Sequence, residues 1–176
     1  HSVYSLIYHC HPPTLVKKID KPIDVSPKIA QQKNMQNRCY KGFNVKPVED
    51  FLKSRVPVLV NNDVHVVLAA PMKSTKGYFY KNSDADEVIF VHEGTGTMKS
   101  IFGDLKFSYG DYIVIPRGTI YQMEFDTKNN RLFIVESFSP IVYPKRHRNE
   151  FGQLLEHAPF CERDIRGPEN FTTTDL

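Results

Sequence analysis

The chain has 176 residues, 40% of them hydrophobic, enough to bury one good core and scarcely two. Its formal net charge is only +3, and the basic side chains are scattered apart from Lys145-Arg146-His147-Arg148, so the broad positive footprint of a nucleic-acid binder is absent. The 3 cysteines, Cys10, Cys39 and Cys161, are far apart and odd in number, which fits neither a disulfide framework nor a zinc site and leads us to expect a reducing, cytoplasmic setting.

No stretch approaches the roughly 20 apolar residues needed to cross a bilayer, and no basic-then-apolar signal pattern opens the chain. The sequence begins at His1 and falls at once into the apolar run Val3-Tyr4-Ser5-Leu6-Ile7-Tyr8, which calls for a partner strand and suggests that something precedes it. Pro12-Pro13 breaks that run, and a polar, Lys- and Gln-bearing passage follows; residues 1–50 read as an arm.

From Val56 the texture changes to short β-branched and aromatic runs punctuated by turn residues, the pattern of an antiparallel sandwich or barrel. Val56 to Val60 and Val64 to Ala70 flank Asn61-Asn62-Asp63, a hairpin turn in which Asn supplies positive φ. Further strands are predicted at Gly77 to Lys81, Glu87 to His92, Thr97 to Phe102, Leu105 to Ser108, Tyr112 to Ile115, Thr119 to Phe125 and Arg131 to Phe138. Alternation puts Thr119, Tyr121, Met123 and Phe125 on one face, so Tyr121 should point inward and take its hydroxyl partner from another strand. Residues 51–140 thus read as one β-domain. Residues 141–176 are polar and Pro-bearing, with one short helix expected around Asn149 to His157 and a tail from Asn170.

The segment from Gly77 to Gly118 makes this texture specific. Gly77, Asp86-Glu87-Val88-Ile89-Phe90-Val91, Glu93-Gly94-Thr95-Gly96 and Gly110-Asp111-Tyr112-Ile113-Val114-Ile115-Pro116-Arg117-Gly118 resemble the two sequence blocks of the cupin superfamily. The resemblance implies a mostly β, double-stranded β-helix (jelly-roll) domain. The cupin ligands are missing: Tyr80-Lys81-Asn82-Ser83 stands where paired histidines would, and Tyr121 where the third would. Lysine, serine and amide side chains cannot supply the neutral nitrogen donors of a non-haem iron site, so no metal is expected at that position.

Longer strings narrow the resemblance. Tyr8-His9-Cys10-His11-Pro12-Pro13-Thr14, Tyr80-Lys81-Asn82-Ser83-Asp84-Ala85-Asp86-Glu87, Val114-Ile115-Pro116-Arg117-Gly118-Thr119 and the passage from Asn149 to Phe160 look like the N-terminal half of the homogentisate 1,2-dioxygenase family. That resemblance implies a metal-free β-domain followed, in the complete enzyme, by a second half that binds Fe(II) through two histidines and a glutamate. It implies ring-opening dioxygenation of an aromatic acid with O2 in tyrosine and phenylalanine catabolism, by an oligomeric enzyme whose catalytic residues lie outside this chain. The competing reading is a free-standing, metal-free cupin-like domain that binds a small molecule.

Within the chain, Tyr80 and Tyr121 are the pocket candidates, with filling of the vacated metal position the expected role of Tyr121. Lys145, Arg146 and Arg148 are candidates for subunit contacts. His9 and His11 could share one strand face, but no acidic residue follows them closely, so packing is favoured over metal binding; a site joining them to a distant carboxylate such as Glu136 is the remaining metal alternative. His92-Glu93 cannot chelate together from opposite faces of a strand, and His147 with Glu150 would form an ordinary surface pair on a helix.

Overall fold

The computed structural model describes residues 8–171 other than 9, 11, 13, 14, 16, 17, 20, 23, 32 and 35. The chain forms two compact units, one of His1–Pro27 with Tyr143–Ile165 and one of Lys28–Val142 with Arg166–Leu176.

The strands of the described residues belong to the larger unit: β1 Arg55–Val60, β2 Val64–Ala69, β3 Tyr80–Lys81, β4 Asp86–Glu93, β5 Gly96–Ser100, β6 Gly103–Phe107, β7 Tyr112–Ile115, β8 Ile120–Phe125 and β9 Arg131–Ser137. Their antiparallel pairing is nested. β5 pairs with β6, β4 with β7, β3 with β8 and β2 with β9, like one long hairpin rolled up so that successive pairs fall into alternate sheets. The result is a five-stranded sheet in the order β1-β2-β9-β4-β7 and a four-stranded sheet in the order β3-β8-β5-β6. This is the double-stranded β-helix expected from the sequence.

Alternation decides which side chains enter the core. Ile89 and Val91 of β4, Leu132 and Ile134 of β9, and Ile113 and Ile115 of β7 point inward and meet Met98, Phe107, Tyr121 and Met123 from the other sheet. Full burial of each large aliphatic side chain contributes about 2–3 kcal/mol. Phe51 completes the core from the turn before β1, which Asp50 builds: its Oδ1 accepts from the amides of Leu52 and Lys53, both at 3.1 Å. That turn fixes where Arg55 enters the sheet.

One close approach constrains the turn after β4. A Cβ at Gly96 would stand 2.1 Å from the Glu124 carbonyl oxygen and 2.6 Å from Phe107 Cζ, because β5 lies directly against β8 there. Gly96→Ala is therefore expected to cost about 3 kcal/mol by overpacking, read as a lower thermal midpoint; an unchanged midpoint would mean that the β5–β8 contact is looser than described.

Three local expectations are corrected. The β1–β2 turn does not use Asn at positive φ; among the described residues only Glu49 and Asn170 are non-glycine residues with positive φ. Asn61 works through its side chain, Oδ1 accepting from the amides of Asp63 and Val64 at 2.8 Å each. The strand expected from Gly77 shrinks to Tyr80–Lys81, since Gly77 adopts φ 78° and the Tyr78 carbonyl accepts from the Gln122 side chain at 3.0 Å instead of a neighbouring strand.

The third concerns the smaller unit, where no helix forms around Asn149 to His157. Asn149 Oδ1 captures the amides of Phe151 and Gln153 at 2.9 and 3.0 Å, Gly152 takes φ 86°, and Arg148 pairs with Leu154 in an isolated antiparallel bridge. The expected His147–Glu150 helix pair is lost with the helix. Instead His147 ends a 3-10 turn, Lys145–His147, and its Nε2 accepts from Arg146 Nε at 3.0 Å.

Candidate functional site

Inside one end of the larger unit, inward alternation continues past the aliphatic residues and delivers charge. Glu87 follows the Ile89–Val91 face of β4, and Glu136 follows the Leu132–Ile134 face of β9; the two lie directly opposite in register. Their side chains are 0% and 16% exposed. Two carboxylates removed from water and from each other's counterions would repel. Arg55, at the start of β1 and 11% exposed, lies between them, Nη2 donating to Glu87 Oε1 at 2.6 Å and to Glu136 Oε1 at 2.7 Å.

The surrounding groups complete the set. Tyr121, fully buried on β8, donates its hydroxyl to Glu87 Oε2 at 2.6 Å across the gap between the sheets. The Tyr80 hydroxyl accepts from Arg55 Nη1 at 3.4 Å, Asn82 Nδ2 donates to Glu136 Oε1 at 3.3 Å, and His65 Nδ1 stands 3.4 Å from Glu136 Oε2. The Arg55 guanidinium carbon also lies 5.1 Å from the Phe51 ring centroid and 5.6 Å from that of Tyr80, which adds cation–π attraction.

These contacts set the protonation states. Burial opposes the Arg55 charge, but Glu87, Tyr121 and Glu136 outweigh it and hold its pKa above the ordinary value. Burial pushes the Tyr121 hydroxyl well above the usual phenol range, and the Glu87 carboxylate adds to the effect. Tyr80 is pushed up to about 12, again mainly by burial, with Arg55 acting against it. The cluster at neutral pH is therefore a guanidinium and two protonated phenols around the two acidic side chains.

A second anchor lies at the start of β4. Asp86 accepts from the Arg117 amide at 3.0 Å, Arg117 Nε at 3.1 Å and the Ile141 amide at 2.7 Å. Burial would raise its pKa, but the two amides and the guanidinium together hold it below the usual carboxylate value. The resemblance stretch Pro116-Arg117-Gly118 thus acts as a clasp joining β4, the β7–β8 turn and the chain beyond β9.

The arrangement is suited to holding sheets together and poorly suited to holding iron. Among the described residues no three His, Cys, Asp or Glu side chains are placed to bind a metal ion. A guanidinium lies between the two carboxylates, and the residues present do not fit a metal ion there. Glu136, the distant carboxylate of the remaining metal alternative, is engaged by Arg55, Asn82 and His65. His9 and His11 lie outside the described residues.

Of the sequence candidates, the structure brings Tyr80 and Tyr121 together, rings 5.5 Å apart edge to face. Lys145 and Arg146 are exposed on the 3-10 turn of the smaller unit, and Arg148 is half-buried. Sequence reasoning missed Arg55 and the role of Glu87. The available signal was the alternation Glu87, Ile89, Val91 and Leu132, Ile134, Glu136, which sends two acids inward and demands a cation.

On its outer side the five-stranded sheet carries a recess of about 270 Å³, lined by residues that include Phe43, Leu68, Phe90, His92, Arg131 and Phe133. Phe43 and His92 meet edge to face at 4.8 Å, and Arg131 donates to the Val45 carbonyl. This recess opens away from the Arg55 cluster, on the opposite face of the sheet.

The putative dioxygenase SSO1533 of Saccharolobus solfataricus is 36% identical over 167 residues, which are 94% of this chain and 42% of that protein. The chain therefore spans less than half the length of this curated relative. Among solved structures, a cupin-2 domain containing protein from Shewanella frigidimarina is 23% identical with a TM-score of 0.42, covering 48% of this chain and 79% of its own. KdgF from Halomonas sp. is 17% identical with a TM-score of 0.43, covering 49% and 80%. Residues 20–146 match the family model for the homogentisate 1,2-dioxygenase N-terminal region, and the chain belongs to that family.

Proposed function

We propose that this chain is the structural portion of a non-haem Fe(II) dioxygenase that opens the ring of homogentisate with O2 to give maleylacetoacetate in tyrosine and phenylalanine catabolism. The observation that carries this reading is the family match over residues 20–146. In the complete enzyme the iron supplies the oxygen-activating chemistry and is held by residues outside this chain. The interior supports that division of labour. Where a catalytic cupin would gather metal ligands, Arg55 bridges Glu87 and Glu136, and Tyr121 donates its hydroxyl to Glu87.

This portion's work is then mechanical. Its rigid sheets hold the catalytic portion in register and wall off water from one side of the substrate site. Lys145, Arg146 and Arg148 are the assembly contacts of a cytoplasmic homo-oligomer in this proposal, and Tyr80 and Tyr121, which meet beside Arg55, are its pocket candidates. Among the described residues no helix is long and apolar enough to cross a membrane.

A metal-free domain that binds a small apolar molecule is the second reading, favoured by the recess beside Phe43 and His92. Intact mass, iron content and oxygen uptake with homogentisate, measured on protein from the native source, separate the two. A chain longer than 176 residues that carries iron and consumes oxygen is the expected result. A chain of this length alone, with neither iron nor uptake, would leave the binding domain.

A further inference from the structure

An antiparallel sheet with one face on a core and the other in water shows polar residues on its outer face. The outer face of the five-stranded sheet departs from that rule across its full width. Register aligns Val56, Leu68, Phe133, Phe90 and Tyr112 in one row, a residue from every strand. The next row out is Leu59, Val66, Val135, Val88 and Val114. Neither row contains a charge, and both end in well-exposed apolar side chains: Leu59 is 60% exposed, Tyr112 70% and Val114 52%. The recess of about 270 Å³ lined by residues that include Leu68, Phe90 and Phe133 lies in this same face.

Strands that read this way are covered on both sides in the finished protein. The size of the patch indicates what covers it. With strands about 4.8 Å apart and same-face residues about 6.8 Å apart, the two rows make a footprint of roughly 300–400 Å². Free partners that associate stably bury about 800 Å² each, so this face is too small to hold a second copy from dilute solution. A partner tied into the same polypeptide has an effective concentration in the millimolar range and needs far less area. The Saccharolobus solfataricus relative has such a partner available, since more than half of it lies beyond the region aligned with this chain.

We propose that the two-row apolar face of the five-stranded sheet is the seat of the catalytic portion of the same polypeptide, with the Phe43–His92 recess receiving one of its apolar side chains. This rests on the functional reading above and names the surface through which it operates.

The test uses Val114→Cys, with Tyr112→Cys as a second variant, in the full polypeptide and in the 176-residue chain, after Cys10, Cys39 and Cys161 are changed to serine. The rate of maleimide labelling at the introduced position is normalised to the unfolded protein. In the full polypeptide it is expected to be slower than in the 176-residue chain by about tenfold or more, independent of protein concentration. Rates that agree within about twofold at both positions overturn the proposal. So does protection in the 176-residue chain itself that vanishes on about hundredfold dilution, since a second copy is then the occupant. Iron and oxygen uptake measured on the same samples keep the two ideas apart. An active polypeptide that labels freely at position 114 sinks the docking surface alone, and an inactive one that is protected there sinks the dioxygenase reading alone.

Discussion

Arg55→Met is expected to destabilise the protein by about 3–5 kcal/mol, because removing one partner of a buried ion pair strands the other. Glu87 is fully buried and would retain only the Tyr121 hydroxyl, while Glu136 would lose its shortest contact. The methionine fills most of the arginine's volume and keeps contact with the Phe51 and Tyr80 rings, so lost packing is a minor part of the effect. The check is the urea midpoint of the variant at neutral pH, compared with a second variant in which Arg55→Met is combined with Glu87→Gln and Glu136→Gln. The combination should recover more than half of the loss, since the stranded charges have gone. A loss below about 1 kcal/mol for the single change would show that the guanidinium is not what holds the carboxylates.

Alkaline pH should be the second lever. Tyr121 titrates well above the usual phenol range in the folded protein because of burial and the Glu87 carboxylate, and burial pushes Tyr80 and Tyr78 up to about 12. In the unfolded chain these groups titrate at about 10. Below that value both states hold the same protons and stability is flat with respect to them. Above it the unfolded chain sheds protons that the folded protein retains, so unfolding becomes easier with every further rise in pH. Urea midpoints measured from about pH 8 upward should therefore hold level and then fall steeply beyond about pH 10. Tyr121→Phe should cost about 1.5–3 kcal/mol at neutral pH, from the lost hydrogen bond to a charged acceptor, yet flatten the alkaline fall. If the variant falls as steeply as the parent, Tyr121 is not the group responsible.

Much of the fold was legible because turns and alternation are local. Gly94, Gly103, Gly110 and Gly118 mark real turns with positive φ, and the inward set on β8 follows the period of two read from Tyr121 and Met123. The short-range errors have local causes as well. Asn61 and Asn149 carry side chains that compete for backbone amides, so the first turns without positive φ and the second replaces a helix with a capped loop.

The Arg55 cluster was not legible, and the reason is geometric. Arg55, Glu87, Tyr121 and Glu136 come from four strands in two sheets, and only the β4–β9 register together with the sheet-to-sheet distance puts them within hydrogen-bond reach. Alternation shows that two acids point inward. It does not show which distant basic residue meets them, because the entry of Arg55 depends on a turn built by Asp50. Alternation along β8 does turn Tyr121 inward and require a hydroxyl partner from another strand, and that partner is Glu87.

The nested strand order also governs how the chain acquires its structure during synthesis. Among the described strands β9 emerges from the ribosome after the other eight, yet it lies between β2 and β4 in the middle of the larger sheet. Until Ser137 has cleared the exit tunnel, β2 and β4 each present an unpaired edge, and Glu87 has no second carboxylate to share its arginine. The β5–β6 hairpin can close early from neighbouring residues, whereas the pairing of β2 with β9 spans most of the domain and carries the full entropy of closing that loop. The larger sheet is thus continuous only once β9 is in place, and until then the edges of β2 and β4 are open to pairing with other chains.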